Sequence, residues 1–146
     1  MDARLTRAFP HPVPSELRER IVLRHGSEML INVMLHWTNK VDWIARTTTF
    51  APDNPAPYLA EEWTEALEIR DALAQLRTML DGEVLTKAQA WLVDVDADFV
   101  AATTTDDHQR NNHLGAEGGV DQWWRRRVPS QGPVLQCIRD AVRGNG

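Results

Sequence analysis

PYLAEEWTEALEIRDALAQLRTMLDGEVLTKAQAWLVDVDADFVAATTTDD, Pro57–Asp107, carries the longest continuous periodic signal in the chain, and its reading decides the fold. Leu59, Trp63, Ala66, Leu67, Leu73, Leu76 and Leu80 recur at helical spacing, which predicts a helix over Tyr58–Leu80. Glu61, Glu62 and Glu65 crowd its first turns, where the helix dipole favours negative charge, and Arg77 lies toward its other end. Asp81-Gly82-Glu83 then reads as a tight turn, because Gly82 can adopt the left-handed conformation that ends a helix.

A second helix is expected over Lys87–Thr103, with Trp91, Leu92, Val95, Phe99 and Ala102 on one face. The same residues also fit a strand, since Val93, Val95, Ala97 and Phe99 alternate with Asp94, Asp96 and Asp98. Good helix formers upstream and a length beyond that of ordinary strands favour the helix.

Working outward toward the N-terminus, residues 27–50 predict another helix, in which Leu30, Val33, Met34, Trp37, Val41 and Ile44 recur three and four apart. Met29, Ile31 and Leu35 widen that stripe until it nearly surrounds the helix, so its first half should be central and buried. Val41–Phe50 ends in three consecutive threonines and would also suit a strand. Between these segments, Pro52, Pro55 and Pro57 make a stiff, extended connection. Ser15, Glu16 and Glu19 signal a short helix over Glu16–His25, closed by Gly26. Residues 1–14 contain Pro10, Pro12 and Pro14 and are expected to form an extended, Pro-rich arm on the surface.

On the C-terminal side, Thr104–Gly119 reads as a polar loop and Val120–Val128 as a short helix around Trp123. Pro133 opens a last amphipathic helix that finishes at Gly144. The expectation is a single all-α domain over residues 1–146, a compact bundle of four to six helices; the alternative is α+β, with strands near 41–50 and 92–100.

Charge is unevenly spread, with five Arg against three acids in residues 1–25, five Lys or Arg against fifteen acids in 26–107, and six Arg against three acids in 108–146. Basic ends folding back on an acidic middle account for this most simply. No apolar run approaches the ~20 residues of a membrane helix, no apolar stretch follows the first residues as a secretory signal would require, and Cys137 has no partner cysteine. A cytoplasmic protein is therefore expected.

Four places could carry chemistry. Asp94, Asp98, Asp106, Asp107, His108 and His113 offer carboxylate and imidazole ligands for a divalent metal, though their spacing matches no motif with fixed mechanics and a solvated polar loop explains most of them. Trp123-Trp124-Arg125-Arg126-Arg127 combines stacking rings with phosphate-pairing guanidinium groups, extended by Arg139 and Arg143; pairing of those arginines with the acidic helices of the chain is the simpler reading. His25 and His36 are the third, and His36 on an apolar helix is more often a hydrogen-bonded core residue than a ligand. Cys137, the fourth, reads as a small hydrophobe.

Of six tryptophans, Trp37, Trp63 and Trp91 fall on apolar stripes and should fill the core, whereas Trp43 and Trp124 are candidates for a partner surface. The function expected is that of a non-enzymatic interaction or regulatory protein, binding another protein through acidic helix faces and exposed Trp43, Trp124 and Arg125–Arg127, with no cofactor. A small metal-dependent enzyme built on the Asp/His set is the alternative, and nucleic-acid or anion binding through the Trp-Arg segment comes third. Homo-oligomerisation is compatible with all three.

Overall fold

A computed structural model describes residues 3–24, 26–48, 58–119 and 121–145. The chain is mostly helical, with two small two-stranded antiparallel sheets. Its helices are α1 (Ala3–Ala8), α2 (Leu30–Thr47), α3 (Tyr58–Leu73), α4 (Leu76–Met79), α5 (Gly82–Ala102), α6 (Arg110–His113) and α7 (Pro133–Asn145). Strands β1 (Arg20–Leu23) and β2 (Gly26–Met29) form one hairpin; β3 (Thr103–Thr105) pairs with β4 (Arg127–Pro129) to form the other sheet. None of the described helices is long and apolar enough to cross a membrane.

The core lies where α2, α3 and α5 meet. Val33, Trp37, Val41 and Ile44 of α2 face Trp63, Ala66 and Leu67 of α3 and Val95 and Phe99 of α5, all buried. Phe99 is the centre of an aromatic cluster. Its ring lies 5.3 Å from Trp37, 5.9 Å from Trp63 in a stacked arrangement, and 6.0 Å from Trp123 edge-on. Trp37, Trp63 and Trp91 are buried, as their positions on the apolar stripes predict.

Helix α5 resolves the ambiguity of its alternating sequence. Val93–Val100 is helical throughout, and so is Val41–Thr47 in α2, so strands occupy neither of the stretches that suited them; Thr49 and Phe50 lie outside the described residues. Gly82 does take the left-handed region, at φ 57, but it opens α5 instead of closing α3. The helix expected over Tyr58–Leu80 is interrupted: Ala74 and Gln75 donate to the carbonyls of Asp71 and Ala72, three residues back, and tighten the chain between α3 and α4.

Two N-terminal expectations are overturned. Glu16–His25 is not an α-helix, since a 3-10 turn over Ser15–Arg18 is followed by β1. Ile-Val-Leu has high strand propensity, and its pairing with β2 runs from Arg20 opposite Met29 to Leu23 opposite Gly26. His25 and the proline connection at 51–57 lie outside the described residues. Within the expected extended arm, residues 3–14 are not extended throughout either. The prolines begin only at Pro10, which leaves Ala3–Ala8 free to form α1, and Leu5 and Phe9 enter the core.

Further on, the polar stretch 104–119 contains β3 and α6, and the helix expected around Trp123 is a single 3-10 turn, Trp123–Arg126. Helix α7 starts at Pro133, where a missing N–H costs nothing, and packs Val134 and Ile138 against the bundle.

Candidate functional site

The Trp-Arg segment turns inward. Trp124 is only 3% exposed and donates its Nε1–H to Asp71, at 2.6 Å, while Trp123 keeps 36% of its surface in water. This reverses the expectation that Trp124 is the exposed ring. Arg125 is held by both carboxylate oxygens of Asp71 and by the Ala116 carbonyl. Arg127 donates to the Thr103 hydroxyl and carbonyl and to the Val100 carbonyl. Of the three arginines only Arg126 is classed as exposed. The segment thus closes the bundle, and most of its positive charge is spent on partners within the chain.

Beneath it runs a polar seam. Arg70 makes two parallel hydrogen bonds to Asp96, each 3.0 Å, and Trp37 donates to the same carboxylate at 3.1 Å. The Arg70 guanidinium lies 4.2 Å from the Trp124 ring centre and 5.6 Å from that of Trp123, where an aromatic face receives a cation. Asn111 of α6 is fully buried. It accepts from Trp63 Nε1 and donates to the carbonyls of Arg125 and Arg127, all at 2.8 Å.

The six proposed metal ligands do not converge. Asp94 is exposed on α5, Asp98 pairs with Arg4, and Asp106 accepts from the backbone N–H groups of Arg110 and Asn111 at 2.9 Å, fixing the start of α6. Asp107, His108 and His113 are exposed. Among the described residues no three His, Cys, Asp or Glu side chains are placed to hold one ion. Trp43 is half-buried, with the Lys40 ammonium 5.6 Å from its ring centre, and Cys137 is half-buried and not in a disulfide.

A different place has the geometry of a binding groove. Between the β1–β2 hairpin, α2 and α3 lies an open cleft of about 530 Å³. Glu61, Glu65 and Glu68 stand at positions i, i+4 and i+7 of α3, so their side chains line one wall while Trp63, Ala66 and Leu67 face the core. Glu28 of β2 and His36 of α2 form the opposite side, with His36 Nε2 and Glu28 Oε1 3.4 Å apart. Arg24 donates to Glu68 at 2.8 Å, and Lys40 pairs with Glu62 and reaches Glu65 at 3.5 Å. Arg24 is the one Lys or Arg among four carboxylates in the described lining.

A second groove, of about 790 Å³ between α1 and α5, is larger but mixes Arg4, Arg7 and Lys87 with Asp94 and Asp98. An excess of carboxylates, four against the one Arg24, makes the first the better site for a basic partner. The sequence marked Glu61, Glu62 and Glu65 only as first-turn acids, so the shared face of Glu61, Glu65 and Glu68 went unread, and so did the wall opposite, since Glu28 reaches the cleft only through a hairpin that the sequence disguised as a helix. Comparison with protein-family models, curated proteins and solved structures finds no match to this chain.

Proposed function

We propose that this chain is an interaction protein, without catalytic activity of its own, that receives a basic segment of another protein in the cleft between the β1–β2 hairpin and α3. The observation that carries the proposal is the Glu61, Glu65 and Glu68 row facing Glu28 across a cleft of about 530 Å³. Lysine and arginine heads would enter that cleft, with His36 and Thr64 at its walls as hydrogen-bonding groups. Complementary potential speeds encounter and selects partners more than it raises affinity, so binding should be salt-dependent and modest. A lone cysteine suits the reducing cytoplasm as the place of action.

The test is titration of the purified protein with an Arg/Lys-rich peptide and with an acidic peptide of equal length. The basic peptide is expected to bind, more weakly as salt rises. Exchanging Glu61 and Glu65 for Lys should weaken binding at least about tenfold, an energy of ~1.4 kcal/mol. Equal binding of both peptides, or full binding by the Glu61→Lys/Glu65→Lys variant, would sink the proposal.

A further inference from the structure

The acidic cleft already holds a guanidinium. Arg24 is one of the two residues that join β1 to β2, and its Nη1 donates to Oε1 of Glu68 on α3 at 2.8 Å. Both residues line the cleft, where Arg24 is the one Lys or Arg beside four carboxylates among the described lining residues. The two partners are unequally placed. The Glu68 side chain keeps 25% of its surface in water and that of Arg24 keeps 69%, so the acid is part of the wall and the base covers it from outside. An ion pair with so exposed a member is weak and opens readily, because water solvates its charges nearly as well as they solvate each other.

We infer that Arg24 is a tethered competitor for the cleft, holding at Glu68 the place that an arginine of the basic partner takes, a role that rests on the cleft receiving a basic segment and adds what regulates it. The bond Arg24 makes is the bond a partner's guanidinium would make, and a carboxylate already paired attracts a second cation less strongly. Its anchorage makes it an effective rival. Leu23 and Gly26, on either side of the turn, are paired in the hairpin ladder, so Arg24 is kept near Glu68 at a local concentration on the order of millimolar. A lone arginine in dilute solution loses that contest. A segment with several basic residues wins it, because Glu61, Glu65 and Glu28 hold its other charges while the group opposite Glu68 exchanges with Arg24. Arg24 thereby raises the positive charge a partner needs to enter.

Titration of the full chain with the Arg/Lys-rich peptide tests this. Arg24→Gln should bind the peptide about three- to fivefold more tightly than the original, the range an exposed ion pair allows. Loss of any positive charge favours a basic peptide somewhat, so the comparison is Arg18→Gln, an exposed arginine that does not line the cleft and whose loss should change the affinity by less than about twofold. Removing the contested carboxylate should remove the gain: in a Glu68→Gln chain, adding Arg24→Gln should tighten binding no more than adding Arg18→Gln. A gain from Arg24→Gln no larger than that from Arg18→Gln, a gain that persists undiminished without Glu68, or a loss of affinity overturns the inference. The acidic peptide of equal length separates this failure from a failure of the cleft itself. If the original chain prefers the basic peptide and Arg24→Gln gains nothing, the competitor alone falls; if the original binds both peptides equally, the cleft falls as a basic site and the competitor with it.

Discussion

Asn111 shows how much one side chain can hold. Its amide oxygen takes the Trp63 indole hydrogen, and its amide nitrogen satisfies two carbonyls of the Trp123–Pro129 segment, all in a place water does not reach. Asn111→Asp keeps the shape but loses both donated bonds and sets a carboxylate against two carbonyl oxygens. Buried polar groups left unpaired cost about 1–3 kcal/mol each, so this variant should lose on the order of 3 kcal/mol or more in denaturant unfolding. Loss of less than about 1 kcal/mol would mean that the site is wetter than its burial implies.

Asp96 is the second such residue. The alternating aspartates look equivalent in sequence, yet helical geometry rotates them apart: Asp94 faces water, Asp98 meets Arg4, and Asp96 points at Arg70 and Trp37. Removing the carboxylate in Asp96→Ala leaves the Arg70 charge buried without its counter-ion, and should destabilise by about 3–5 kcal/mol in the same measurement. Asp94→Ala, by contrast, should fall within about 0.5 kcal/mol of the original.

At the scale of elements, the tightest constraint is the approach of α7 to the end of α2. Gly132, at φ 95, turns the chain into Pro133, and a side chain there would place its Cβ 2.2 Å from the Thr47 carbonyl oxygen. Neither the conformation nor the space admits another residue. Gly132→Ala should cost about 2 kcal/mol or more, measured as a fall in midpoint at unchanged denaturant slope. Thr47 and Thr103 stand at the ends of α2 and α5 in a related way, each hydroxyl bonding back to a carbonyl three or four residues earlier, so Thr47, which suggested a strand, closes a helix, while Thr103 leads from α5 into β3.

For the whole molecule, electrostatics and burial draw both ends onto the middle. Arg4 pairs with Asp98, Arg24 with Glu68 and Arg125 with Asp71, each a basic residue of a terminal region meeting an acid of the central one. Leu5 and Phe9 add apolar anchoring at the front. Deleting residues 1–9 removes two fully buried side chains worth about 1.5–3 kcal/mol each, a large share of an ordinary domain's 5–15 kcal/mol. The truncated chain should melt many degrees lower, and an unchanged melting temperature would show that α1 is dispensable to the bundle.

By itself the sequence determined the elements whose signal is local and long. Helical periodicity placed α2, α3, α5 and α7, and apolar stripes put Trp37, Trp63 and Trp91 in the core, because a 3.6-residue repeat exists whatever the chain later packs against. Glu61 and Glu65 were legible only as first-turn acids of α3; the wall they make with Glu68 emerged with the fold. Tertiary structure alone decided the rest. Ser15–Met29 became a 3-10 turn and a hairpin, since four-residue strands carry too little periodicity to outweigh a capping signal, and their pairing is stabilised by α2 and α3 beneath them. The choice between Trp123 and Trp124 for burial, the inward turn of Arg125 and Arg127, and the placing of Glu28 across from Glu61, Glu65 and Glu68 all depend on residues tens of positions away. Long-range partners fix which of two adjacent side chains is desolvated, and no local pattern encodes that.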